Sequence, residues 1–197
     1  MTGPFPIASL IGGVELLERA IGYTLGSLHL VTREAMSEPT PCPDWDLRAL
    51  LAHMNDSLVA LQEAVDIGHV DLGVSQAVDP AVDPVAALRD RACALLGAWT
   101  NAGGTEEVSI QDRPLTNSIV TSAGALEIAV HGWDVAQACG RSRPIPGPIA
   151  EELLPLAPLL VTEADRPGRF AAAIRASPSA GPGERLLAFL GRSPCHR

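Results

Sequence analysis

Ala125 to Arg141 reads ALEIAVHGWDVAQACGR. Glu127 stands four residues before His131 in a run that is otherwise mostly small and apolar. At helical spacing the two share one face, a turn apart. Val120, Ala123, Gly124, Asp134, Val135 and Ala138 lie on that face too. Such a surface is built to be buried against another helix. A lone carboxylate on it is costly unless something pairs with it. A hydrogen bond between Glu127 and His131 is one answer, and a shared metal ion is another.

Working outward, this helix spans Asn117 to Ala138 and ends with Gly140 at C′. Upstream, Val108 and Ile110 alternate in the manner of a short strand. Asp83-Pro84 supplies an N-cap and an N1 proline for a third helix running to Trp99, with Val85, Leu88, Ala92, Leu95 and Leu96 inward. NAGGTEE ends it. A loop covers Gly68 to Val82. The second helix opens after SEPTPCPDWD, whose prolines forbid helix. Asp46 is its N-cap, with Trp45 stapled onto Leu50. Leu47, Leu50, Leu51, Met54, Leu58, Leu61 and Val65 form its apolar stripe, and His53 sits at the edge. The first helix spans Ile7 to Thr32, carried by Leu10, Val14, Leu17, Ile21, Leu25 and Leu28.

Downstream, RSRPIPGP is a linker. Ile149 to Val161 is helical, kinked or broken by Pro155 and Pro158. ASPSAGPG is a flexible break, and ERLLAFLG is a last short helix closed by Gly191. The pattern is all-α: four amphipathic helices over residues 1–140, then a short Pro-rich C-terminal extension over 141–197. The longer connections after helices one and three suit a bundle with one crossover.

Composition excludes several functions. The net charge is −9, and all 14 basic residues are Arg. No basic stripe is available for nucleic acid. Without Lys there is no Schiff base and no Walker phosphate loop. No segment is apolar over the roughly 18 residues that a membrane span needs, and the N-terminus lacks a signal-peptide pattern. The four cysteines are scattered. A reducing, cytoplasmic setting with free thiols follows. The partner implied is a small molecule, and a homodimer stays open.

His53 is a third donor beside Glu127 and His131. Two imidazoles and one carboxylate suit a divalent metal with an open position. The small neighbours Ala49, Ala123 and Gly124 leave room beside it. Asp134 either orients His131 as an outer partner of the metal or is simply solvated. His29 reads as a polar helix end before a ligand. Cys42, between two prolines, reads as packing before a nucleophile, Cys139 as a helix-end core residue, and Trp133 as a packing anchor before a substrate platform.

PTPCPDWDLRALLAHM, then EIAVHGWDVAQACGR, then a terminal RLLAFLGRSP resemble the actinobacterial branch of the DinB-like superfamily. That branch includes the mycothiol-dependent maleylpyruvate isomerases and short metal-binding proteins. The resemblance implies an up-down four-helix bundle. It also implies a metal held by His53, Glu127 and His131, and that imidazole-rich donor set suits zinc first and nickel second. Mycothiol is the implied thiol, and the implied activity is a transferase or isomerase acting on a small electrophile. The isomerases carry a longer C-terminal domain than residues 141–197 allow. Asn55 departs from the pattern, which has a small residue there. Two alternatives stand beside the thiol reading. One is an enzyme of small-molecule metabolism using a metal-activated water, of lyase, hydrolase or cyclase type. The other is a non-catalytic metal- or ligand-binding bundle, which a fourth protein ligand such as His29 or a cysteine would favour.

Overall fold

The computed structural model describes residues 13–70, 82–101, 107–110, 113–166 and 170–193. The start of the expected first helix, most of the loop after helix two, much of NAGGTEE and Cys195 lie outside them. The main helices are α1 (Gly13–Leu28), α2 (Leu47–Ile67), α3 (Pro84–Asn101) and α4 (Asn117–Ala138). They are followed by α5 (Gly147–Leu160) and α6 (Pro182–Phe189). α1 ends at Leu28 rather than Thr32, and Leu30 N–H turns back onto the Ser27 carbonyl at 3.0 Å.

α4 is the centre of the fold. It is buried on almost its whole circumference, from Val120 to Ala138. α1 packs along it, α2 packs on both α3 and α4, and α1 also touches α3. The α1–α4 approach is close because Gly132 has no Cβ. One built there would collide with the Thr24 hydroxyl. That hydroxyl instead donates to the Ile128 carbonyl one turn away, at 2.7 Å. Gly124 is filled in a similar way: a Cβ would meet Leu61 Cδ2 at 2.7 Å. The space beside Gly124 therefore belongs to the α2 side chain and is not room beside a metal.

The α2 stripe is buried as its periodicity predicts, with Ala64 rather than Val65 at its end; on α3 Leu88, Ala92 and Leu95 are buried, while Val85 and Leu96 are half-buried against the core. Asp46 caps α2 by accepting from Ala49 N–H at 2.8 Å, and Gly68 ends it at φ 65°. Asn55 accepts from Arg91 Nε at 2.9 Å, joining α2 to α3, which gives the departure at that position a structural use.

The all-α expectation needs correction. A three-stranded sheet joins β1 (His69–Val70), β2 (Glu107–Ile110) and β3 (Arg113–Thr116) in that order. β1 pairs parallel to β2, His69 opposite Ser109. β2 pairs antiparallel to β3, Val108 opposite Leu115. The reason is backbone satisfaction. The connections either side of α3 carry polar backbone that no helix pairs, and the sheet pairs them with each other. Val70 and Val108 bury their side chains beneath it. A two-residue strand has no periodicity to read, so β1 was invisible in the sequence. Pro114 sits on β3, an edge strand that tolerates the missing donor.

The segment with two prolines is not broken either. α5 runs as one helix through Pro155 and Pro158. Each proline removes a bond to the carbonyl four residues back. Glu151, one of those positions, is exposed, so water can take its carbonyl. Leu153, Leu156 and Ala157 are buried and hold the helix on the core. α5 packs on α4 and α1, and α6 packs on α5. No helix among the described residues is long and apolar enough to cross a membrane.

Candidate metal centre

α2 and α4 bring His53, Glu127 and His131 together. Their donor atoms lie within 4.8 Å of one another. His53 Nε2 is 2.5 Å from Glu127 Oε1, and His131 Nε2 is 3.0 Å from the same oxygen. The two imidazoles meet edge to face, ring centres 5.1 Å apart. His53 is the open side of the set, its side chain 37% exposed against 8% for His131. Among the described residues no fourth His, Cys, Asp or Glu donor joins this set. His29 is exposed just past the end of α1.

Asp134 is fully buried, so it is not a solvated residue. Its Oδ2 lies 2.9 Å from His131 Nδ1. Arg192 closes the other side. Its Nε donates to Asp134 Oδ1 at 2.9 Å, and its terminal nitrogen donates to Oδ2 at 2.8 Å. The same nitrogen is 3.3 Å from Cys42 Sγ. Cys42 Sγ donates toward Asp134 Oδ2 at 3.4 Å and sits 3.9 Å from His131 Nδ1. Cys42 thus lies on the Nδ1 side of the ring, away from the His53–Glu127 side.

The loop before α2 sets up this contact. The Thr40 hydroxyl accepts from Cys42 N–H at 3.1 Å and donates to the Trp45 carbonyl at 3.0 Å. Asp44 takes the left-handed φ of 68° that lets the turn close. One tight loop therefore delivers Cys42 to one side of His131 and the Trp45 ring to the other. Trp45 lies 4.7 Å from the His53 ring and 6.3 Å from that of His131, centre to centre. Trp133 is a core residue, 4% exposed, and Cys139 packs against the core at the helix end.

Electrostatics follow from these distances. Burial opposes the charge on Asp134, but Arg192 and His131 outweigh it and hold the carboxyl below its usual range. Burial also opposes ionisation of Glu127, and the neighbouring His131 and His53 hold it well below the usual range. His131 is caught between the two carboxylates. Burial disfavours its charge, yet Glu127, Asp134 and Cys42 together hold it well above the ordinary histidine value. The site demands a positive charge between its carboxylates. A proton on Nε2 meets that demand, and so does a divalent cation. Two imidazole nitrogens, one carboxylate oxygen and an outer carboxylate behind one imidazole fit such a cation.

Three members of this cluster escaped the sequence reading in part or whole. Arg192 lay in the quoted terminal block, but nothing local marked it as buried. The sequence predicts packing for Cys42, which is also hydrogen-bonded. It predicts a staple onto Leu50 for Trp45, whose ring lies against His53.

No curated protein and no solved structure matches the chain. A family model does: residues 17–136 match the mycothiol maleylpyruvate isomerase N-terminal domain. The matched stretch covers most of α1, most of α4 and everything between them, and it includes His53, Glu127 and His131. The chain belongs to the mycothiol maleylpyruvate isomerase N-terminal domain family, within the DinB-like superfamily.

Proposed function

We propose that the chain is a metal-dependent enzyme of thiol chemistry, a transferase or isomerase acting on a small electrophile. His53, Glu127 and His131 would hold the ion, zinc first and nickel second. The observation that carries this reading is the convergence of both Nε2 atoms on Glu127 Oε1, with the far nitrogen of His131 engaged by Asp134. The family supports mycothiol as the thiol. When bound, a divalent cation with an open position lowers the pKa of a thiol or water that reaches it.

The chain's own residues supply the rest. Asp134 accepts a hydrogen bond from Nδ1–H and keeps Nε2 facing the set. Trp45 packs its ring against His53. α1 to α4 are read as the DinB-like up-down bundle with one crossover, residues 1–140. Residues 141–197 are read as an extension packed on it. Cys42, Cys93 and Cys139 are free thiols, which suits a reducing cytoplasm.

The test has two steps. Elemental analysis of gently purified protein should find about one divalent metal per chain. Cobalt-substituted protein should then develop a sulfur-to-metal charge-transfer band on adding mycothiol, and His53→Ala should abolish it. A protein that takes up no zinc would overturn the metal centre. A loaded protein with no spectral response to any cellular thiol would overturn the thiol and favour a metal-activated water. A fourth side chain on the metal would favour the non-catalytic bundle.

A further inference from the structure

Resting on the metal reading above, we propose that Arg192 is a positioning residue of the centre: it grips Asp134 and thereby fixes which nitrogen of His131 faces the donor set. Arg192 lies beyond the residues that match the family model, so this inference concerns the chain's own C-terminal segment.

The guanidinium presents two nitrogens to two oxygens. Nε reaches Oδ1 at 2.9 Å, and the terminal nitrogen reaches Oδ2 at 2.8 Å. That planar fork holds a carboxylate in one orientation as a point charge cannot. Both Asp134 and Arg192 are buried, 0% and 8% exposed, so solvent does not loosen the pair. With Arg192 fixed on it, Asp134 Oδ2 faces His131 Nδ1 at 2.9 Å and can only accept. His131 then donates from Nδ1, which leaves Nε2 as the ring nitrogen that faces Glu127 and His53.

The backbone delivers Arg192 to this place by a helix-ending motif. Gly191 adopts φ 77°, its N–H bonds the Ala188 carbonyl at 3.1 Å, and Arg192 N–H bonds the Leu187 carbonyl at 2.9 Å. This is a Schellman closure of α6. A side chain at position 191 would strike Ala171, whose Cβ is 2.7 Å from the built position. The motif turns the chain from the end of α6 inward, and the first residue after the turn is Arg192.

A purely structural role, pinning α6 to α4, is the competing account, and a double-mutant cycle separates the two. Zinc affinity is measured by chelator competition in Arg192→Met, Arg192→Lys, Asp134→Asn and the double variant Arg192→Met/Asp134→Asn. Circular dichroism checks the fold of each. Asp134→Asn should weaken zinc by about 10- to 100-fold, the usual range for an outer partner of a ligating histidine. Arg192→Met should weaken it by about tenfold, and Arg192→Lys by less. The double variant buries no unpaired charge, so it folds even where Arg192→Met does not. It should bind zinc no more weakly than Asp134→Asn alone, because Arg192 acts through Asp134. Additive losses, or wild-type affinity in a folded Arg192→Met, would overturn the proposal. A second readout is the pair of His131 ring nitrogens by nitrogen-edited NMR of the zinc-loaded protein, which should show Nδ1 protonated in the parent and a mixture of the two ring nitrogens in Arg192→Met. If wild-type protein takes up no zinc, the metal reading falls, and the same spectrum of metal-free protein, taken at a pH where the ring is neutral, decides the positioning role. A single Nδ1–H tautomer in the parent that becomes mixed in Arg192→Met supports the role, and a single tautomer in both overturns it.

Discussion

Zinc and a proton should compete for one atom, His131 Nε2. That nitrogen lies 3.0 Å from Glu127, while Nδ1 lies 2.9 Å from Asp134, so carboxylates flank the ring at both ends. Together they hold the imidazole well above the ordinary value of 6.5, against the pull of burial. Below that raised value the Nε2 proton must leave before metal binds. Each pH unit of acidification then weakens zinc by about tenfold, or ~1.4 kcal/mol. An ordinary histidine would already be neutral between pH 7 and 8 and would show no slope there. The expected result is a slope near one proton per zinc across that interval, measured against a chelator whose own pH dependence is known. Asp134→Asn removes one flanking charge and should flatten the slope. Stability of the metal-free protein runs the opposite way. A folded pKa raised above the unfolded one contributes stability that is complete below about 6.5 and is lost as pH rises through the raised value. Metal-free protein should therefore melt progressively lower toward alkaline pH, and zinc-loaded protein should not. Zinc affinity independent of pH between 7 and 8 would refute the reasoning at its root, because His131 would then be either unshifted or no ligand.

Three further outcomes follow. His131→Ala and Glu127→Ala should each lose the metal yet keep the helical circular dichroism of the parent, since buried Leu, Ile and Ala side chains make the core; global unfolding of both would make the metal structural. Gly132→Ala should destabilise by about 1–3 kcal/mol in urea unfolding, because the new Cβ collides with the Thr24 hydroxyl; an unchanged midpoint would mean that the α1–α4 seam yields. Asp46→Ala should cost about 1 kcal/mol by removing the 2.8 Å bond to Ala49 N–H, read as a lowered melting temperature with metal content unchanged.

What the sequence made legible was local. The stripes of α2 and α3, the Asp46 cap, and Gly140 and Gly191 past their helix ends each depend on residues within a turn or two. The Glu127–His131 pair is local in the same sense, being one helical turn. His53 was reached only by assuming that two apolar stripes face each other. What escaped was set by three-dimensional closure. Arg192 is 58 residues from Asp134, and Cys42 is 89 residues from His131. No spacing rule links them. Of the sheet, β2 is legible in the alternation of Val108 and Ile110, but its pairing is not, because β1 is two residues long and lies on the far side of α3. The unbroken α5 escaped for another reason: proline propensity predicts the lost hydrogen bonds, while burial of Leu153, Leu156 and Ala157 decides whether the helix survives them.

The Schellman turn at Gly191 also has a consequence in time. Synthesis proceeds from the N-terminus at about 5–20 residues per second. His53, Glu127 and His131 are therefore all made well before Arg192, and α1 can close on α4 as soon as Ile128 has a chance to meet Thr24, 104 residues earlier. For an interval the nascent chain holds a buried-in-waiting Asp134 with no guanidinium to receive it. During that interval the helices alone can bring His53, Glu127 and His131 together, and the grip of Arg192 on Asp134 can be added only once α6 has turned and docked. Metal acquired before that docking would be exchangeable, and metal present after it would be retained.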